Sequence, residues 1–383
     1  MKLAFALFKY FPYGGLQRDC IKIAQECVAR GHEVDIFALE ASGEVPEPLT
    51  VKCLDVKSRI NYRRYEQFAV ALRKEVENGG YDAVVGFNKM PGLDFYYAAD
   101  PCYAAKVQER SWIYALLPRT RSFLKAEAEV FSSHSSTHVL LISPSEMKKF
   151  VRIYKTPVER MHLLPPGIQR DRIAPADYSE RRTKARLDLG LSDDQNMLLM
   201  VGSGFKTKGV DRSLHAVASL PESLRAKTRL IIAGEDNPRA FLKLAHNLGI
   251  SELVEFVGGR EDIPDLLFAA DFLLHPAYRE NTGTVLLESV AAQLPVLCTA
   301  ACGYAYHIKN AQCGHVLPTP FVQNDMNTAL KSMLNSPEIQ KWKENAARYI
   351  KKNDLFSMPE MVVDVVESRK GHVVLSGKNL VQE

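Results

Sequence analysis

Strand-like runs alternate with amphipathic helical runs from one end of this chain to the other, and that alternation restricts the fold more than any other feature. It is the pattern of parallel sheets covered by helices, an α/β fold. The first half carries LAFALF, HEVDIFAL, TVKCLDV, DAVVGF and HVLLIS; the second carries MLLMVGS, RLIIAGE, LVEFVGG, DFLLHPA and PVLCTA. Two series of five, divided near LLPPGI at Leu163 to Ile168, predict two doubly wound domains, residues 1–165 and 166–383, with a C-terminal helix free to cross back to the first. Pro165-Pro166-Gly167 reads as a rigid linker, because neither proline can sit inside a sheet and Gly167 permits a turn. An eight-stranded barrel is the second choice, since about ten strands with a proline break between them suit it poorly.

Composition removes several classes of function. A chain of 383 residues with 46% hydrophobic and 25% charged residues can build two ordinary cores. A net charge of +4 makes no case for nucleic acid. The seven cysteines (Cys20, Cys27, Cys53, Cys102, Cys298, Cys302, Cys313) are odd in number and scattered, which predicts reduced thiols in a cytosolic protein. The opening MKLAFALFKYFP is interrupted by Lys9 and followed by no small-residue cleavage site, so it reads as a buried strand and not a signal peptide. No stretch approaches the roughly 18 apolar residues of a membrane span. No Asp-x-Asp and no cysteine or histidine cluster with metal-ligand spacing occurs, so neither a metal site nor a resident cofactor is expected.

Ligands of open parallel sheets bind beyond the carboxyl ends of the strands, which directs attention to the turns there. The richest is YRENTGTVLLESVAAQLPV, from Tyr278 to Val296, with Glu280 and Glu288 eight apart around Thr282-Gly283-Thr284. The turn offers capping hydroxyls to a helix carrying Val285, Leu286, Leu287, Val290 and Ala291, and a helix N-terminus presents free amides to a phosphate. Glu288, four residues after Thr284 on one helical face, can accept from two vicinal hydroxyls; Glu280, at a strand end, can hold a sugar. A solvated loop charge and a helix surface charge are the plain alternatives. Earlier, VGSGFKTKGV places Ser203, Lys206 and Lys208 in a glycine turn where a lysine can meet a diphosphate as a point charge, without the order of a P-loop. Arg172, just after the linker, is a further cation. The turn from Phe256 to Ile263, with Arg260, can read a base edge or be a plain turn capped by Asp262. After the first strand, Tyr13-Gly14-Gly15 leads into IKIAQECVARG, with Ile21, Ala24 and Val28 on one face; a tight turn without a ligand fits equally well. It is not the dinucleotide fingerprint, which counts against a nicotinamide enzyme.

The conjunction of GGLQRD, PPGI, SGFKTKG and E-x7-E resembles the retaining glycosyltransferases of family four, with the two-Rossmann GT-B fold. KYFPYGGLQRD, VVGFNKMPGLDFYYAAD, KGVDRS, LHPAY, VLLE and CGYAYHI are similar to the branch that adds glucose to the lipopolysaccharide core, along nearly the full chain. The resemblance implies two domains facing across a cleft. It implies transfer of a hexose, glucose first, from a UDP-sugar to an inner-core heptose, with retention and without metal, at the cytoplasmic face of the bacterial inner membrane. By motif, Glu288 would hold the ribose and Glu280 the donor sugar. Thr282, Gly283 and Thr284 would supply amides, and Lys208 and Arg172 would neutralise the diphosphate. Ser203, Arg260 and Ile263 complete the donor set. Gly15 would abut the donor from the other domain, and Asp19 would lie on the acceptor side. Glu280, Lys208 and Asp19 are the catalytic candidates, and Asp19 and Asp100 are the candidate bases or, equally, structural caps. Many relatives have arginine directly before the lysine where this chain has Thr207, and Lys206 is the residue available to compensate.

A lipid-anchored acceptor gives meaning to Lys106 to Phe131, where Trp112, Tyr114, Phe123 and Phe131 alternate with Lys106, Arg110, Arg119, Arg121 and Lys125. That mixture suits an anionic bilayer surface, with Pro118 dividing it into two helices; aromatic core with a solvated basic face is the alternative. Competing functions are a UDP-sugar epimerase of the same architecture, the same transferase with an N-acetylhexosamine donor, and a non-catalytic membrane scaffold.

Overall fold

The computed structural model describes residues 1–12 and 14–368, so Tyr13, the first residue of the glycine turn, lies outside the described residues. It forms two compact units, one of Met1–Gly167 plus the segment from Ser357, the other of Ile168–Phe356. The division thus falls two residues after the boundary predicted from the sequence.

The first unit is built on β1 (Lys2–Tyr10), β2 (Glu33–Ala41), β3 (Val51–Cys53), β4 (Ala83–Gly86), β5 (Phe95–Ala98), β6 (His138–Leu141) and β7 (Met161–Leu163), in the order β3-β2-β1-β4-β5-β6-β7. Every pairing is parallel. A parallel sheet covered on both faces needs apolar side chains on both, and β1 supplies them. Leu3, Phe5 and Leu7 pack with Ile23 and Ala24, while Ala4 and Ala6 pack on the opposite face with Phe68 and Leu72. The Gly15–Ala29 helix buries Gln17, Cys20, Ile23, Ala24 and Cys27, so its inner stripe is rotated from the predicted one, and Ile21 and Val28 are only half-buried.

The helix Met358–Ser368 belongs to this unit, inserting Met358, Val362, Val363, Val365 and Val366 into the same core. Arg30 fixes its outer face by bonds to Asp364 (2.6 Å) and Glu367 (3.1 Å). Gly167 is tied to this unit too: its carbonyl accepts from Lys22, and a Cβ there would stand 2.8 Å from the Met358 Cβ.

The second unit contains β8 (Asn196–Val201), β9 (Thr228–Ala233), β10 (Val254–Gly258), β11 (Phe272–His275), β12 (Val296–Thr299) and β13 (Gly314–Leu317), ordered β10-β9-β8-β11-β12-β13 and all parallel. This is the doubly wound order with its reversal between β8 and β11. Seven and six strands replace the predicted five and five. The three that the pattern failed to predict, β5, β7 and β13, are only four, three and four residues long.

Candidate active site

The reversal between β8 and β11 makes a crevice at their carboxyl ends, and each strand runs into one of the two signal-bearing turns. After β8 the chain turns through Gly202 and Gly204 to Gly209. Gly209 has φ +79°, and a Cβ there would lie 2.2 Å from the Pro276 carbonyl oxygen, so only glycine lets this turn press against the end of β11. That approach delivers Lys208 to Glu280, whose Oε2 it contacts. The backbone of Glu280 is pinned in turn, its N–H donating to Ala301 O (3.2 Å) and its carbonyl accepting from Gly303 (3.2 Å).

Glu280 Oε2 has a second neighbour, His275 Nε2, at 3.4 Å. Burial alone would raise the Glu280 carboxyl, but His275 and Lys208 outweigh it and hold its pKa at about 2. Burial lowers the pKa of His275 against the pull of Glu280, so the imidazole is neutral. Sequence reasoning missed His275. A lone histidine closing an apolar strand carries no pattern that marks it.

Gly283, at φ +83°, starts the Thr284–Ala291 helix with no side-chain cap. The predicted hydroxyl capping by Thr282 or Thr284 is therefore absent, and the first-turn amides keep no side-chain acceptor. Glu288 is not a surface charge. It is 8% exposed and faces Arg172, 5% exposed, with Arg172 Nε 3.7 Å from its Oε1. Arg172 also donates to Asp171 at 2.7 Å. The structure thus forms two carboxylate–cation pairs, Glu280 with Lys208 just before this uncapped helix and Glu288 with Arg172 one turn into it.

Lys206 does not join them. It pairs with Asp211 (2.7 Å) and reaches Tyr278 Oη (3.2 Å), while Thr207 is exposed and its carbonyl accepts from Tyr278 N–H. The loops after β8, β9 and β10 are laced into a ledge: Glu235 N–H donates to Ser203 Oγ (3.1 Å), Gly202 N–H to Ala233 O and Gly234 N–H to Gly258 O. Arg260 is held by Asp262 through two bonds of 2.7 and 2.5 Å. Asp262 precedes the Ile263–Ala269 helix without capping it, its side chain being taken by Arg260.

In the first unit, Gly15 opens the helix after β1, and Asp19, half-buried, accepts from Tyr97 Oη (2.8 Å). Asp100 is exposed just beyond β5. Residues 103–131 form three helices, Tyr103–Gln108, Trp112–Leu116 and Pro118–Phe131, with Pro118 starting the last one. Arg110, Arg119, Arg121 and Lys125 are exposed and Lys106 is half-buried. Of the four aromatic residues only Trp112 faces solvent, at 73%. Phe131 is core, stacked on Phe150 at 3.6 Å, and Tyr114 and Phe123 are half-buried. The exposed apolar face is instead Trp112 with Ile113 (57%), Leu116 (57%) and Leu117 (46%). Between the Asn61–Gly79 and Pro118–Phe131 helices lies a cavity of about 420 Å³ lined by Phe8, Tyr65, Arg73, Lys89, Phe123 and Lys125 among others. No helix of the described residues is long and apolar enough to cross a membrane. Among them no group of three or more His, Cys, Asp or Glu stands at metal-binding spacing.

Comparison with known proteins identifies the family. The family described as Glycosyltransferase Family 4 matches residues 13–172, and the family described as Glycosyl transferases group 1 matches residues 181–352. The lipopolysaccharide glucosyltransferase WaaG of Escherichia coli K12 is 45% identical over 96% of this chain and 98% of its own length. The chain belongs to the family 4 glycosyltransferases. A crystal structure of WaaG, described as a glycosyltransferase involved in lipopolysaccharide biosynthesis, superposes on this transferase with a TM-score of 0.91 at 44% identity, covering 95% of this chain and 99% of that one. Anabaena HepE in complex with UDP-glucose has a TM-score of 0.74 at 17% identity, covering 96% and 100%, and shares the fold. The glycosyltransferase therefore has the GT-B fold expected from its motifs.

Proposed function

We propose that this glycosyltransferase moves glucose from UDP-glucose to a heptose of the lipopolysaccharide inner core, retaining the anomeric configuration and requiring no metal ion. The observation that carries the reading is the Glu280–Lys208 pair set beside the uncapped Gly283–Thr284 helix start, with Arg172 and Glu288 buried behind it. Departure of UDP builds negative charge on the phosphate oxygens. Lys208, Arg172 and the helix amides are fixed donors for that charge, the role a divalent cation fills elsewhere. Glu288 would accept the ribose hydroxyls. Glu280, with the Lys208 ammonium and the His275 ring both on Oε2, would offer Oε1 to the donor sugar. The Ser203, Arg260 and Ile263 ledge would receive the base.

The 45% identity to a lipopolysaccharide glucosyltransferase supports the choice of acceptor and of glucose. On the first unit, the exposed Trp112–Leu117 face and the neighbouring Arg119, Arg121 and Lys125 suit docking on the anionic cytoplasmic leaflet of the inner membrane. The cavity lined by Tyr65, Arg73 and Lys125 offers acceptor sugars a phenol hydroxyl and cations.

The test is transfer of labelled sugar from a panel of UDP-sugars to heptose-terminated core lipopolysaccharide with EDTA present throughout. Product from UDP-glucose is the expected result. Product from an N-acetylhexosamine donor would change the sugar, activity abolished by EDTA would remove metal independence, and interconversion of free UDP-sugar without transfer would point to an epimerase.

A further inference from the structure

We infer that His275 is a positioning residue of the transfer reaction, fixing through an Nε2–H donor which oxygen of Glu280 is left to receive the donor sugar. The inference rests on the reading of Glu280 as the donor-sugar carboxylate.

His275 is the last residue of β11, 1% exposed, inside a strand whose other side chains are all apolar. Only one of its ring nitrogens has a polar neighbour. Nε2 faces Glu280 Oε2 at 3.4 Å, whereas Nδ1 is buried without a partner among the described residues. In a neutral imidazole one nitrogen carries the proton and the other a lone pair. Protonation at Nδ1 would bury an N–H with no acceptor and turn the Nε2 lone pair against a carboxylate. Protonation at Nε2 avoids both, so the geometry selects the Nε2–H tautomer.

At 3.4 Å the bond is long, and the Lys208 ammonium touches the same oxygen more closely. What His275 adds is direction. Lys208 reaches Glu280 on a flexible stem, whereas the imidazole is set in a packed strand, and both act on the same oxygen. Two donors on Oε2 fix the carboxylate rotation and leave Oε1 without a donor among the described residues. Cys302, whose thiol lies 3.9 Å from the His275 carbonyl, is neutral, since burial raises its pKa to about 11.

Glutamine places its amide nitrogen where Nε2 stands, and asparagine places its own where Nδ1 stands. His275→Gln is expected to stay within ~3-fold of wild-type kcat, and His275→Asn to lose ~10-fold or more, with UDP affinity by calorimetry unchanged in both. Equal kcat in the two variants, or an Asn variant whose UDP affinity falls as much as its kcat, overturns the inference. A two-bond proton–nitrogen spectrum of wild-type protein, which needs no variant to fold, should show His275 protonated at Nε2; an Nδ1–H signal overturns it. Glu280→Gln is the control that separates the two levels. If it transfers sugar at the wild-type rate, the reading of Glu280 itself fails; if it is slow while both His275 variants match wild type, the positioning role alone fails.

Discussion

Glu280 is a carboxylate with a fixed charge. Its folded pKa of about 2 lies below the ordinary 4.5, so the pair with Lys208 stabilises the fold fully above the unfolded value and progressively less as pH falls from 4.5 towards 2. Glu280→Gln should therefore remove acid-limb stability in that window, seen as a flatter plot of melting temperature against pH below 5. Glu280→Ala is expected to reduce transfer much more than UDP binding, and Glu288→Ala to weaken UDP binding by roughly 10- to 100-fold, the worth of a hydrogen bond to a charged group. Wild-type turnover in both would sink the site assignment. Arg172→Ala strips a buried carboxylate of its cation and should cost about 3 kcal/mol in urea unfolding, partly recovered when Glu288→Ala is added. The two glutamates were legible in the sequence because spacing and a glycine turn marked them. The sequence also favoured Lys208 over Lys206, but not the reason for it: both lie in one short helical turn, and the packing of Gly209 against Pro276 that points Lys208 to Glu280 is a tertiary contact.

At the scale of elements, the helix Trp112–Leu116 has no buried residue, and such an exposed apolar face needs a partner. Replacing Trp112, Ile113, Leu116 and Leu117 by serine should lower sedimentation with neutral and anionic vesicles alike. Changing Arg119, Arg121 and Lys125 to glutamine should affect anionic vesicles alone, by ~1 kcal/mol per residue, and lose its effect in high salt. Unchanged sedimentation in both variants would remove the docking proposal. The basic residues of this segment could be read from composition, but its aromatic residues could not be sorted. Phe131 and Trp112 look alike in sequence, and only the stacking of Phe131 on Phe150 shows that one is core and the other surface. The strands follow the same logic. LAFALF is long enough to declare itself, whereas Phe95–Ala98 is a strand only because β4 and β6 flank it, and pairing of that kind is a tertiary fact.

For the whole molecule, the main feature is that the first unit is discontinuous in sequence, with Ile168–Phe356 inserted before its final helix. Five apolar side chains of Met358–Ser368 complete the core against the Gly15–Ala29 helix. Val362→Asp should destabilise this unit by several kcal/mol, because an unpaired charge would enter that core. The first unit should then melt in a separate, earlier transition with the second unchanged, and a single unshifted transition would contradict the packing. Two domains and their doubly wound order were readable from alternation and the proline break. A C-terminal helix crossing back to the first domain was open from the sequence, but the surface it packs on was not readable, because an amphipathic helix declares its apolar face and not what will cover it. During synthesis this topology reverses the usual sequence of events. The second unit is whole once the ribosome has passed Phe356, while the first, begun hundreds of residues earlier, keeps the apolar side of its Gly15–Ala29 helix uncovered until Val366 emerges, so the part made first is the part finished last and the one that nascent-chain chaperones must shield longest.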